Sequence, residues 1–167
     1  MYYADASRVC LEPCVPYGWQ FPDEDVFMPS AKGKGLNCFG LLTRTNKLMF
    51  STTTQNINST FVFEYLDRLS FMLEKPTVIV LDNASVHTAK IIQKQRKVWE
   101  ERGLILFYLP PYSPQLNLIE ILWKMLKYYW LKPEDYVEEQ LLFYKITLAL
   151  AAVGSSLNIN FSDLALV

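Results

Sequence analysis

Three acidic residues stand where acids are costly. Asp5 interrupts the β-rich run "YYADASRVCL", among Tyr2, Tyr3, Ala4 and Val9, although Asp is disfavoured in strand interiors. Asp82 directly follows the apolar run 78–81, where a charge calls for a partner or a metal. Glu120 closes "LPPYSPQLNLIE", residues 109–120, whose prolines limit the freedom of the connection and aim the start of the next helix. Each acid also has an ordinary reading. Asp5 could face water from an edge strand, and Asp82 could cap the following helix. Glu120 has capping-box spacing from Asn117 and i,i+4 spacing to Lys124, an ion pair worth about 0.3–0.5 kcal/mol. Brought together, the three would repel one another without cations. Oxygen-only ligands suit Mg²⁺ or Mn²⁺. Two such ions about 3.5–4 Å apart clamp the attacking and leaving oxygens of a phosphoryl displacement.

The elements that would position these acids follow from periodicity. "YYADASRVCL" reads as a first strand, and residues 12–35, rich in Pro and Gly, as an irregular excursion. "LNCFGLLT" (36–43) and "KLMFSTTT" (47–54) flank "RTN" as a hairpin. Asn58 or Ser59 caps a helix whose apolar face comprises Phe61, Phe63, Leu66, Leu69, Phe71 and Met72. "TVIVLDN" and "LILFYLP" are wholly apolar strands on either side of a helix over 88–102 that Gly103 ends. A strand–helix–strand unit makes parallel neighbours. Helices over 117–131 and 134–153 follow, the first with Leu116, Ile119, Trp123, Leu126 and Trp130 on one stripe and Glu120 at its border. The result is a mixed α/β sheet flanked by helices, in one domain over 1–154 with a tail at 155–167. If the strand ending at Asp82 pairs with the first, Asp5 and Asp82 are neighbours, and the stiff loop returns Glu120 to them.

Bulk properties narrow the class. The chain has 167 residues, half of them hydrophobic, which suits one domain with a real core. No apolar run approaches the roughly 20 residues of a membrane span, and "MYYADAS" lacks the pattern of a signal peptide; a soluble intracellular protein is expected. Cys10, Cys14 and Cys38, with a single histidine, supply a structural zinc site poorly and are expected as free thiols. The net charge of −1 does not announce a nucleic-acid binder.

"VIVLDNASVHTAK" (78–90) and "LILFYLPPYSPQLNLIEILWKMLK" (104–127) resemble the catalytic domain of DDE-superfamily transposases, in the mariner-like group that includes many bacterial insertion-sequence enzymes. "YYADASR" resembles the strand that carries the family's first aspartate, and "PYGW" (16–19) is also similar. The resemblance implies a ribonuclease-H-like fold of the retroviral-integrase type. It implies that Asp5, Asp82 and Glu120 are the catalytic, metal-binding triad of a two-metal Mg²⁺ or Mn²⁺ site. It further implies DNA as partner, both transposon ends and target, action as a homodimer, and a bacterial cytoplasmic location. Glu120 lies 38 positions after Asp82, within the family's range. Departures are Ala6, where the family commonly has Glu, and Leu118, where it commonly has Pro. The family's helix-turn-helix units precede the first catalytic strand, and here only four residues precede Asp5.

Further candidates surround the triad. His87, five residues after Asp82, could orient water or phosphate, although a lone His at a helix start is more often a hydrogen-bonded structural residue; Asn83 could hydrogen-bond within the site or equally form a turn. Lys32, Lys34, Lys124 and Lys127 are candidates for DNA phosphates, against the default of solvated surface charge. Trp123 and Trp130 are core by position, and Trp19 could stack on a base or cover the sheet edge. Rival readings are a fragmentary or decayed transposase that keeps only a DNA-binding or assembly module, another ribonuclease-H-like nuclease, and a small-molecule α/β enzyme. No Gly-rich phosphate loop favours the last.

Overall fold

Alternation along the strands decides which side of the sheet each residue faces. In β1 (Tyr2–Cys10), Tyr3 and Val9 enter one core while Ala4 enters the other, as successive side chains of a strand must. The structure is a computed structural model that describes residues 1–12 and 34–161. The expected excursion, "PYGW", Trp19, Cys14 and Lys32 therefore lie outside the described residues. Among those described, β2 (Gly35–Leu42) and β3 (Leu48–Thr53) form the expected hairpin, followed by α1 (Ser59–Phe71), β4 (Thr77–Leu81), α2 (Lys90–Glu101), β5 (Leu104–Tyr108), α3 (Ile119–Met125) and α4 (Glu139–Ala151). The sheet order is β3-β2-β1-β4-β5, with β1–β2 and β2–β3 antiparallel and β1–β4 and β4–β5 parallel.

Helices cover both faces. Val62, Leu66, Ile92 and Trp99 from α1 and α2 pack with Phe39, Ile79 and Leu81 on one side. Ile119, Leu122, Trp123, Leu142 and Ile146 from α3 and α4 pack with Tyr3, Cys38 and Val80 on the other. Burial of each such side chain stabilises the fold by about 1.5–3 kcal/mol. Asn58 caps α1, its side chain accepting from Phe61 N at 2.9 Å. Asp67 of α1 binds α2 by accepting from Trp99 Nε1 at 3.0 Å and Arg102 Nη1 at 2.9 Å. Gly103, at φ 88°, ends α2 in the left-handed conformation.

Several expectations are corrected. Phe71 and Met72 are exposed and lie off the buried face of α1; Arg102 stacks on the Phe71 ring at 3.9 Å. β5 is apolar throughout but lies at the sheet edge, so Ile105 and Phe107 remain exposed while Leu104 and Leu106 are buried. The single helix expected over 117–131 begins with a 3₁₀ turn (Pro114–Leu116), and the α-helical part passes into a π-helical turn (Leu126–Trp130). Leu116 consequently falls off the stripe and is exposed. After α4 the chain turns back. Asn46, in the β2–β3 turn, accepts from Ile159 N at 2.7 Å and donates to Ile159 O at 3.1 Å, and Ile159 is buried. Residues up to 161 thus pack on the domain. Among the described residues, no helix is long and apolar enough to cross a membrane.

Candidate active site

Strand register brings the two aspartates abreast. β1 and β4 pair through Tyr2↔Ile79 and Tyr3↔Val80. Two residues further along both strands are Asp5 and Asp82, on the side of the sheet that α3 covers, and adjacent strands lie about 4.8 Å apart. Glu120 enters from the first turn of α3.

Electrostatics registers their approach. The Asp5 carboxyl is raised from 3.8 to about 7, first by burial, then by the charge of Glu120 and, less, of Asp82; the Ala6 N–H and His87 pull the other way. Glu120 is also raised, by burial and then by Asp82, while Lys127 and a hydrogen bond with Asp5 oppose the rise. Like charges close together disfavour the ionised form.

Asp82 behaves oppositely. A hydrogen bond from His87 holds its carboxyl below the usual range, burial opposes this, and the Ala84 N–H assists. His87 Nδ1 lies 2.6 Å from Asp82 Oδ1, and Ala84 N donates to the same oxygen at 3.0 Å. A carboxylate only accepts, so the proton sits on Nδ1. The ring is 1% exposed, packed beside Phe39. His87 is therefore both the structural residue of its ordinary reading and the group that orients Asp82. Asn83 points its amide at the Leu109 carbonyl, tying the end of β4 to the stiff loop.

Two supports were not legible in the sequence. Asn117 makes no capping box; α3 begins without a side-chain cap. Its buried amide donates instead to Ala4 O at 3.1 Å, bolting the end of the loop to the backbone beside Asp5. Trp123 is core, as expected, but its Nε1 also donates to Asp5 Oδ2 at 3.1 Å. Its indole reaches β1 across Gly40, the residue opposite Asp5 on β2; a Cβ at Gly40 would lie 3.1 Å from both Trp123 and Ile119. A polar residue closing a proline-rich loop, and a Trp facing a strand glycine, are the only signals the sequence carried.

Among the described residues, no group of three or more His, Cys, Asp or Glu side chains is arranged to hold a metal ion by itself. The donor chemistry still fits a hard cation. Burial, and after it the charge of a neighbouring acid, raises two of the three acids, a cation offsets both, and all the donors are carboxylate oxygens. Mg²⁺ in particular keeps several waters and takes one or two carboxylates together with substrate phosphates, without an all-protein cage. Of the lysines, Lys124 is exposed, and Lys127 is close enough to act on Glu120. Lys34 is paired with Glu139 at 2.8 Å.

A family model described as DDE superfamily endonuclease matches residues 1–141. No curated protein is similar in sequence at a significant level. Solved structures are similar in fold. The Mos1 transposase paired-end complex with left transposon end superposes with TM-score 0.57 at 14% identity, over 90% of this chain and 52% of that one. The Mos1 mariner paired-end complex with Mn gives 0.57 at 14%, over 93% and 52%. The catalytic core domain of BIV integrase gives 0.52 at 18%, over 75% and 79%. The chain thus spans about half the length of the Mos1 chains it matches. The expected ribonuclease-H-like fold is the one observed.

Proposed function

This chain belongs to the DDE superfamily endonucleases, and from that premise we propose that it is the divalent-metal-dependent catalytic domain of a DNA transposase. It cleaves DNA phosphodiester bonds and transfers the freed 3′-hydroxyl ends to target DNA. The observation that carries the reading is the β1–β4 register, which puts Asp5 beside Asp82 on the face that Glu120 enters.

Asp5, Asp82 and Glu120 would hold Mg²⁺ or Mn²⁺. When bound, the ions supply an acidified water and charge stabilisation for an in-line displacement. The chain's own residues supply position. His87 keeps the Asp82 carboxylate ionised and aimed through its Nδ1–H. Trp123 holds one oxygen of Asp5 in place through its Nε1–H. Asn117 and the prolines fix where Glu120 enters. Lys124 and Lys127, which follow Glu120 in the chain, belong to the same proposal as contacts for a phosphodiester backbone, together with Lys32 and Lys34. A homodimer on DNA as the acting form belongs to the same proposal.

The test is a nicking and strand-transfer assay with Mg²⁺ or Mn²⁺ on supercoiled DNA. Wild-type activity that disappears with EDTA and in Asp82→Asn is expected. Equal activity in wild type and Asp82→Asn would remove the triad from the chemistry.

A further inference from the structure

Neither the sheet nor the triad accounts for Tyr112. Its side chain is fully exposed, and its backbone sits at φ 55°, a left-handed conformation that disfavours a bulky residue. Glycine at this position would relieve the strain and remove an aromatic ring from water. Such outliers persist where the surroundings over-determine them, and they cluster at sites that clamp ligands.

Here the surroundings are rigid. Pro110 and Pro111 precede Tyr112 and Pro114 follows it by two. Ser113 Oγ donates to Pro111 O at 3.3 Å across the turn. One end of the loop is tied through Leu109 to Asn83, and the other through Asn117 to Ala4 O. Tyr112 lines the rim of a cavity of about 350 Å³ that Asp82 and Glu120 also line. Leu109, Pro110 and Pro114 make much of its wall apolar, with Asn83 and Asn117 as polar groups. A rigid aromatic at the rim of a largely apolar cavity, joined directly to a phosphate-handling site, matches the chemistry of a nucleotide: base against ring, phosphate against the acids.

We propose that Tyr112 and this cavity form a nucleobase subsite, in which the ring stacks on an unpaired base next to the phosphodiester that the triad handles. The identity of that phosphodiester rests on the nuclease reading above. Stacking on a π-face tolerates every base, so the subsite anchors an unpaired nucleotide without selecting sequence.

The test compares two labelled single strands of equal length and charge, oligothymidine and its abasic counterpart, by fluorescence anisotropy in Ca²⁺. Equal phosphate charge cancels the backbone contribution and leaves the base. One stacked base predicts about 5- to 150-fold preference of the wild type for oligothymidine. Tyr112→Ala should abolish that preference while binding the abasic strand within about 2-fold of wild type. Tyr112→Phe should keep it. The ring touches no core, so unchanged thermal melting of the variants verifies their folding. A preference that survives Tyr112→Ala, or a wild type with no preference or no binding, overturns the proposal. The cleavage assay with Asp82→Asn reads the other claim separately. Metal-dependent cleavage without base preference sinks the subsite alone, and Tyr112-dependent preference without metal-dependent cleavage upholds the subsite and sinks the nuclease reading.

Discussion

Replacing Asp5 with Asn removes one charge from the crowded carboxylates and keeps an oxygen to accept from Trp123. The wild-type group is raised from 3.8 to about 7 in the folded chain. A raised acid favours folding fully below its ordinary pKa, and that contribution is lost as pH rises through the folded value. Above pH 7, folding therefore works against an ionised Asp5. At about 1.4 kcal/mol for each tenfold change, the span from 3.8 to about 7 sets a ceiling of about 4 kcal/mol. Glu120 is raised by burial and then by Asp82, both of which remain after the substitution. Asp82 is lowered, so its own contribution is present at neutral pH and lost in acid; it is common to both proteins and cancels in the difference. Urea denaturation in EDTA is the assay. Asp5→Asn should be more stable than wild type by ~2–4 kcal/mol at about pH 8, and by under ~1 kcal/mol near pH 4. Saturating Mn²⁺ should reverse the order, since an ion bound by the folded wild type alone stabilises it by mass action. Equal stability of the two proteins at alkaline pH, or a difference independent of pH, would refute the claim that burial and its acidic neighbours raise the Asp5 carboxyl.

Other substitutions probe the supports. His87→Ala removes the donor that orients Asp82 and should weaken Mn²⁺ binding by about 10–100-fold in calorimetric titration, as loss of a ligand's partner commonly does. Asn117→Ala leaves Ala4 O without its partner and should lower the urea-derived stability by about 1–3 kcal/mol; a neutral result would mean the loop is anchored elsewhere. Gly40→Ala pushes against Trp123 and Ile119 and should destabilise by about 1–3 kcal/mol in urea denaturation; unchanged stability would mean that Trp123 moves aside freely.

Much of this architecture was readable in advance because it rests on short-range rules. The run 78–81 read as a buried strand, Asn58 or Ser59 as a cap and Gly103 as a helix stop, and the strand–helix–strand unit made β4 and β5 parallel neighbours; the β1–β4 pairing that sets Asp5 beside Asp82 stood only as a condition until the structure supplied it. What escaped depends on neighbours that periodicity does not see. Phe71 and Met72 look like core, but α1 ends there beyond the edge of the layer, and Arg102 covers the ring of the first. Ile105 and Phe107 look like core until β5 proves to be an edge. Asn117 and Trp123 resembled a cap and a filler; their bonds span 113 and 118 positions, which local patterning cannot reveal. The 3₁₀ turn before α3 likewise put Leu116 off a stripe drawn at constant helical pitch.

The clasp between Asn46 and Ile159 bears on how the molecule is made. Both hydrogen bonds join a hairpin turn near the start of the chain to a residue 113 positions later. While a ribosome is still threading the last helix, the β2–β3 hairpin can form, but its turn has no partner for the Asn46 amide. Such long-range closure slows folding. This end of the domain therefore closes only once Ile159 has been made and has reached the hairpin, and a chain shortened just after α4 should remain open to proteases at the hairpin turn.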